Sequence, residues 1–579
     1  MRPGRRTAVA AIVAVIGLAV VLHGLELASL RRISHDDTIS FLAATGHQGE
    51  FQRVVDERLA PVAQWVPASR WQGFTQVERP LPLLTIAQDL GHHDIHPPVY
   101  FWLLHVWSLL VGVQLWTGPV LNLVLHAATA VLLWRLARRV LGGPLPAAAV
   151  AGIWLTLPAV IETAGSTRQY SLAALCGVAL VSAFLRARDA ATPRALAAVA
   201  VWTALGMLTL YTFGLLVAGL GVIALVDLAG PDRRRSALRQ IAAFAVAGVV
   251  FLAAQPWLRE ALARQRDQAE PFSVARMALR TRLLFAELPR FAVADVDGFA
   301  AVAVLIAAAV LAVLAWRATP AARPIVWLAI WLPVAMGAAY LAALSPGAAY
   351  EARYFSIALP WIAFLPVAAW STLRVRPALL AATAVFAVAA MLNVSAGVRA
   401  ATEPPVATLD GPQPVVLDNM ARGVLLRILW DAPSDLPVYA ADQSTLLATT
   451  DRWLRCDDRL PCHRRPVTLA TQVQYQATQR GQQALLDAAR RVRRVSPERG
   501  IGTIAERYRL SEPSTAGAGT GASATAAGRL SQTGGSSRTV TTMTASSTIA
   551  RSPAAPASAG YGAAGDTPSR QPRYQNSPQ

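Results

Sequence analysis

Four polar clusters stand beside long apolar stretches of the chain, and their residue types set out the chemistry on offer. They are His35-Asp36-Asp37, His92-His93-Asp94-Ile95-His96-Pro97-Pro98, Thr167-Arg168-Gln169-Tyr170 and Tyr350-Glu351-Ala352-Arg353-Tyr354-Phe355. Ionisable groups at the ends of membrane helices are the first functional candidates in an apolar chain. A paired carboxylate can take a proton from a hydroxyl, or it can cap the helix it opens. Three histidines and an aspartate can ligate a metal, and they equally suit a polar loop ahead of a double proline. An arginine beside aromatics can grip two phosphate oxygens at once, or simply snorkel to lipid headgroups.

The elements that must hold these residues are helices in a bilayer. Of 579 residues, 54% are apolar and only 15% charged, a balance that excludes an ordinary soluble enzyme. Apolar runs at 8–22, 144–161, 195–226, 241–254, 299–316, 325–344 and 378–392 answer to the thickness of hydrocarbon, where only helices satisfy their own backbone. The formal charge of +19 comes from a chain whose basic residues are all arginine. That charge gathers in short loops, as the positive-inside rule places it, so it argues for no nucleic-acid partner. Arginine-rich loops at 2–6, 135–139, 186–194, 233–239, 317–323 and 374–376 are assigned to the cytoplasm.

This assignment predicts about eleven spans: 7–29, 119–141, 144–164, 169–186, 195–211, 213–229, 240–258, 298–316, 325–344, 354–373 and 377–397. The N-terminal helix is read as an uncleaved span. Pro97–Trp116 is apolar enough to cross, yet crossing would move every later arginine-rich loop outside. It is therefore read as a juxtamembrane or re-entrant helix on the outer face. Two large outer loops follow, 30–118 and 259–297. An odd number of spans puts everything after about residue 398 outside.

Residues 404–510 predict a small α/β domain, with strand-like pieces at Pro414–Leu417, Pro437–Ala440 and Val467–Ala470. Residues 511–579 are rich in Ser, Thr, Gly, Ala and Pro without periodicity, and a disordered tail is expected. Cys176 reads as a small core residue, while Cys456 and Cys462 can close a short loop in an oxidising compartment.

Taken in order, several of these pieces resemble one family: the C-type-fold membrane glycosyltransferases that use polyprenyl-phosphate sugars. The nearest members are bacterial relatives of dolichyl-phosphate-mannose protein mannosyltransferases and the aminoarabinose transferases. The pieces are the acid pair followed by "ISFLAATG", "HPPVYFWLLHVWSLLVG", "LLWRLARRVLGG", "TRQY", "PWLREALARQ" and "EARYFSIALPW", spread over about residues 1–400. Members of that family usually carry Asp-Glu where this chain has Asp36-Asp37, and usually an arginine after the juxtamembrane helix, where it has Thr117-Gly118-Pro119.

The resemblance implies an all-α polytopic glycosyltransferase domain over 1–400 that transfers sugar with inversion from a polyprenyl-phosphate-linked donor. Asp36 is then the base, supported by Asp37. Arg168 and Arg353 are candidates for the phosphate, His96 is a weaker one, and Tyr170 and Tyr354 stand beside them. No cofactor and no metal is required, because arginines supply the positive charge. The acceptor, a glycan, a lipid or a protein, stays open on the outer face of a bacterial inner membrane. A protein O-mannosyltransferase is the alternative among enzymes. Two other classes are a lipid or sugar transporter, which plain Ala/Val/Leu spans argue against, and a non-catalytic assembly subunit.

Overall fold

The computed structural model describes residues 5–267, 273–287, 299–318, 320–342, 352–370, 376–402, 409, 411–455, 466–472, 478–501 and 505–512. Among these, six helices are long and apolar enough to cross a bilayer: Ile12–Ser29, Thr117–Leu141, Tyr170–Asp189, Tyr211–Leu228, Arg234–Ala254 and Pro320–Ala342. A seventh crossing is broken. Pro144–Thr156 and Pro158–Gly165 meet at a bend of 55°. The local cause is Leu157, held extended (φ −64°, ψ 131°) by the proline that follows it.

Four further apolar helices are shorter, at Val99–Val111, Pro193–Met207, Val302–Arg317 and Leu359–Trp370. The 13 residues of Val99–Val111 rise about 20 Å, well short of a ~30 Å hydrocarbon core. That helix stops at Gly112, whose φ of +79° is the left-handed region a glycine takes at no steric cost.

Tyr170–Asp189 is the axis of the helical part, with most of its side chains buried against Thr117–Leu141 and Pro193–Met207. Small residues let these backbones approach, as expected where lipid offers no hydrophobic drive to association. Trp154, Phe184, Phe213 and Trp361 fill the larger spaces of this core, and Cys176 is buried within it.

A mixed six-stranded sheet forms the second part. Its strands are β1 (Trp65–Pro67), β2 (Val415–Leu417), β3 (Pro437–Ala440), β4 (Val467–Gln472), β5 (Arg494–Ile501) and β6 (Ala505–Ser511). Their order is β1-β3-β2-β4-β6-β5. The central strand β2 runs parallel to both β3 and β4, so helical crossovers must join them, here Arg422–Leu429 and Gln443–Ala448 with Thr450–Arg455. The remaining pairings are antiparallel. Strand β6 runs through Ser511, the residue at which composition alone turns to low complexity. Residues 513–579, and with them most of the expected tail, lie outside the described residues, as do Cys456, Cys462 and Glu351.

Strand β1 comes from the loop after the first helix, not from the C-terminal stretch. It pairs Trp65 with Tyr439 and Val66 with Val438. Phe51, Trp71 and Phe74 of that loop share one core with Val416, Leu425, Trp453 and Leu469. The helix His35–Ala44 stands between the two cores: Phe41, Ala43 and Ala44 belong to the helical core, and Leu42 to the one beneath the sheet. The helix that carries the acid pair is thus clamped from both sides.

Candidate active site

The local sequence explains why the acid pair sits where it does. Ser34 is the N-cap of His35–Ala44: its hydroxyl accepts from the Asp37 amide at 3.1 Å, while the Asp37 carboxylate accepts from the Ser34 amide at 3.4 Å. This reciprocal box makes Asp37 a buried structural group. Its other oxygen accepts from the Thr167 amide at 2.5 Å, which ties the helix to the turn carrying Arg168. Asp36, one position earlier, is partly open, with its side chain 27% exposed.

Asp36 meets arginine. A guanidinium nitrogen of Arg353 lies 2.9 Å from Asp36 Oδ2. Burial alone would raise the Asp36 carboxyl, but Arg168 and Arg353 outweigh it and hold the group below its ordinary value. Arg353 arrives on the short helical turn Ala352–Phe355, and its guanidinium carbon is 5.9 Å from the Tyr354 ring centre. Tyr354 stands edge-on to Tyr170, with centroids 6.2 Å apart. Asp36, Arg168, Arg353, Tyr170 and Tyr354 therefore converge from three widely separated stretches of chain.

Arg168 is buried, and its two terminal nitrogens are aimed. One donates to Ser40 Oγ at 3.3 Å and the other lies 2.8 Å from His96 Nε2. A guanidinium has only protons to give, so His96 Nε2 accepts and the ring proton belongs on Nδ1. Nδ1 faces Asp94 Oδ1 at 2.8 Å. The result is a run of contacts, Asp94 to His96 to Arg168, within a ring neutral at Nε2.

Asp94 was part of the histidine cluster in the sequence, but its partners were not foreseeable. Arg422 lies 3.1 Å from Asp94 Oδ2 and also donates to the His93 carbonyl at 3.0 Å. Gln48 donates to Asp94 Oδ2 at 3.2 Å, and Arg264 donates to the Asp94 carbonyl at 2.9 Å. Burial would raise the Asp94 carboxyl, whereas the His96 ring N–H and the Arg422 guanidinium lower it by more and keep it well below the usual carboxylate range. Its oxygens are thus engaged by basic and amide groups. Among the described residues, no group of three or more His, Cys, Asp or Glu side chains is placed to hold a metal ion.

Packing sets the Thr117-Gly118-Pro119 stretch, where the resemblance leads one to expect an arginine. Gly118 lies directly against the Thr167 side chain, leaving no room there even for a Cβ. Thr167 also supplies the amide that binds Asp37, so the turn cannot retreat without loosening the acid pair.

Comparison with known proteins bears on the family and the fold. Residues 95–259 match the model of the dolichyl-phosphate-mannose-protein mannosyltransferase family. The fold is similar to that of ArnT from Cupriavidus metallidurans in the apo state, at 15% identity and a TM-score of 0.50, over 87% of this chain and 98% of that one. ArnT from the same organism bound to undecaprenyl phosphate also aligns, at 13% identity and a TM-score of 0.49 over the same shares. No curated protein matches in sequence. The chain is a membrane glycosyltransferase with the C-type fold, as the resemblance in its sequence implied. It shares with the mannosyltransferase family the stretch from the His96 loop through Arg168 to the start of the second large loop.

Proposed function

We propose that this glycosyltransferase moves a sugar, with inversion, from a polyprenyl-phosphate carrier to an acceptor on the outer face of a bacterial inner membrane. About eleven spans and an outward-facing stretch over 404–510 belong to the same reading. The observation that carries it is the meeting of one partly open carboxylate, Asp36, with the guanidinium of Arg353 at 2.9 Å. The family description, with its lipid-phosphate-linked sugar, supports the class of donor.

In this reading the acceptor hydroxyl attacks the anomeric carbon from the face opposite the phosphate. The carbon–oxygen bond to phosphate breaks as the new glycosidic bond forms, and the hydroxyl proton passes to Asp36. The departing lipid phosphate keeps the bonding pair, and Arg353 and Arg168 offset its charge. Arg353 changes partner in the cycle: donor phosphate competes with Asp36 for the guanidinium, and the base gains strength as it is released. His96 enters as a neutral ring that aims Arg168, and Asp94 fixes its tautomer.

The test is transfer by purified protein from a synthetic polyprenyl-phosphate sugar. Asp36→Asn is expected to lose ~10²–10⁴-fold in rate with its fold intact. Near-normal transfer by a folded Asp36→Asn protein overturns the assignment. A second reading, a protein O-mannosyltransferase, draws on the family description and is distinguished by mannose appearing on Ser or Thr hydroxyls of a protein acceptor.

A further inference from the structure

The piece "LLWRLARRVLGG" has no part in the chemistry above, yet it lines a pocket at the far end of the bundle. A cavity of about 300 Å³ lies between the C-terminal end of Thr117–Leu141, the C-terminal end of Tyr170–Asp189 and the helix Pro193–Met207. Leu132, Arg135, Leu136 and Arg139 line it from one helix, spaced to share a face. Arg186 closes it from the second helix and Trp202 from the third. Arg186 is 16 residues along the same helix from Tyr170, or about 24 Å from the candidate active site.

The lining is graded. Leu132 lies about 10 Å deeper along its helix than Arg139 and, with Trp202, makes the inner end apolar. Three solvent-exposed guanidiniums line the rest, Arg135 about one turn out from Leu132 and Arg139 and Arg186 nearer the ends of their helices. Arg139 has a carboxylate, Asp189, at 2.5 Å, whereas Arg135 and Arg186 have none within ion-pairing distance among the described residues. The neighbouring helix ends differ: Arg188 is held bidentately by Asp227 at 2.5 and 2.8 Å, and Arg138 lies over the Trp134 ring at 4.8 Å.

We propose that this pocket binds one anionic phospholipid. Its phosphodiester is held by Arg135 and Arg186, and the start of an acyl chain lies along Leu132 and Trp202. Two guanidiniums without a carboxylate partner at the end of the bundle call for negative charge, and the apolar inner end calls for a chain joined to it. A soluble anion satisfies only the first demand. The proposed topology decides which leaflet supplies the lipid, here the cytoplasmic one, and the site itself does not depend on that choice.

Native mass spectrometry of the full-length protein with phosphatidylglycerol, phosphatidylcholine or inorganic phosphate tests this. Wild type is expected to retain one phosphatidylglycerol, and Arg135→Gln with Arg186→Gln to bind it about 25-fold more weakly, about fivefold for each arginine. Arg138→Gln is expected to bind as wild type does. Should the double variant not purify, each single variant reads the fivefold step by itself. Donor turnover measured alongside reports the outer site separately, so failure of either proposal is distinguishable. Equal affinity in the double variant, or phosphatidylcholine held as tightly, leaves only annular lipid and overturns the site. Displacement by inorganic phosphate overturns the lipid in favour of a soluble anion.

Discussion

Asp36 and Asp37 are adjacent in sequence and opposite in circumstance. One faces arginine in a partly open site, while the other closes a capping box and receives the Thr167 amide. The substitutions should separate accordingly. Asp37→Asn is expected to cost about 1 kcal/mol of stability by weakening the capping box and the bond from the Thr167 amide, seen as a lower melting temperature, with transfer falling less than in Asp36→Asn. Arg353 gives a pH test of the Asp36 assignment. A carboxyl held low stays ionised until pH falls through its depressed value, so competence is present above that value and lost below it. Removing Arg353 takes away one of the charges that depress it. The acid limb of kcat/KM is therefore expected to move to higher pH in Arg353→Gln, and an unmoved limb would separate Asp36 from Arg353 in the free enzyme. Donor affinity should fall in both Arg353→Lys and Arg353→Ala, more in the latter, because an ammonium cannot copy a bidentate grip. Unchanged affinity in the Ala variant returns Arg353 to an interface anchor.

At the scale of elements, the acid-bearing helix is positioned by a helix nearly 400 residues later. Arg422–Leu429 lies against His35–Ala44, and Gly423 makes the close approach possible: a Cβ there would overlap the His35 ring. From the same helix Arg422 reaches Asp94 and Arg427 donates to the Ile33 carbonyl at 2.9 Å. Gly423→Ala is expected to destabilise by about 1–3 kcal/mol through overpacking and to reduce transfer by displacing the turn that holds Asp36. Adding His35→Ala should recover most of the stability, which thermal unfolding of the single and double variants reads directly. Additive losses instead of recovery would mean the two helices are not in register at this contact.

For the whole molecule, the proposed reading requires that both large loops and the C-terminal stretch share one side of the membrane. Strand β1, from the loop after the first helix, pairs with β3 of the C-terminal stretch, which only a common compartment allows. Reporter fusions after Gly143, Thr192 and Arg234 are expected to read cytoplasmic, and one after Pro404 external. A cytoplasmic signal after Pro404 removes the eleven-span arrangement.

Hydropathy and loop charge are local signals, and what rests on them, a helical membrane chain and its long apolar helices, was legible without the structure; the C-type class came from the family resemblance carried by "HPPVYFW" and "RYF…LPW". The capping box at Ser34 and Asp37 is equally local, since its members are three residues apart. The meeting of Asp36 with Arg353, and of Asp94 with Arg422, is not written in any window of sequence, for the partners are 317 and 328 residues apart. Nor could a chain read residue by residue show that β1 leaves its own loop to join a sheet built from residues 415–511. Side-chain type states which charge each residue brings. Which charges face one another is decided by helix packing and strand pairing between distant segments, and only the folded chain brings those segments together.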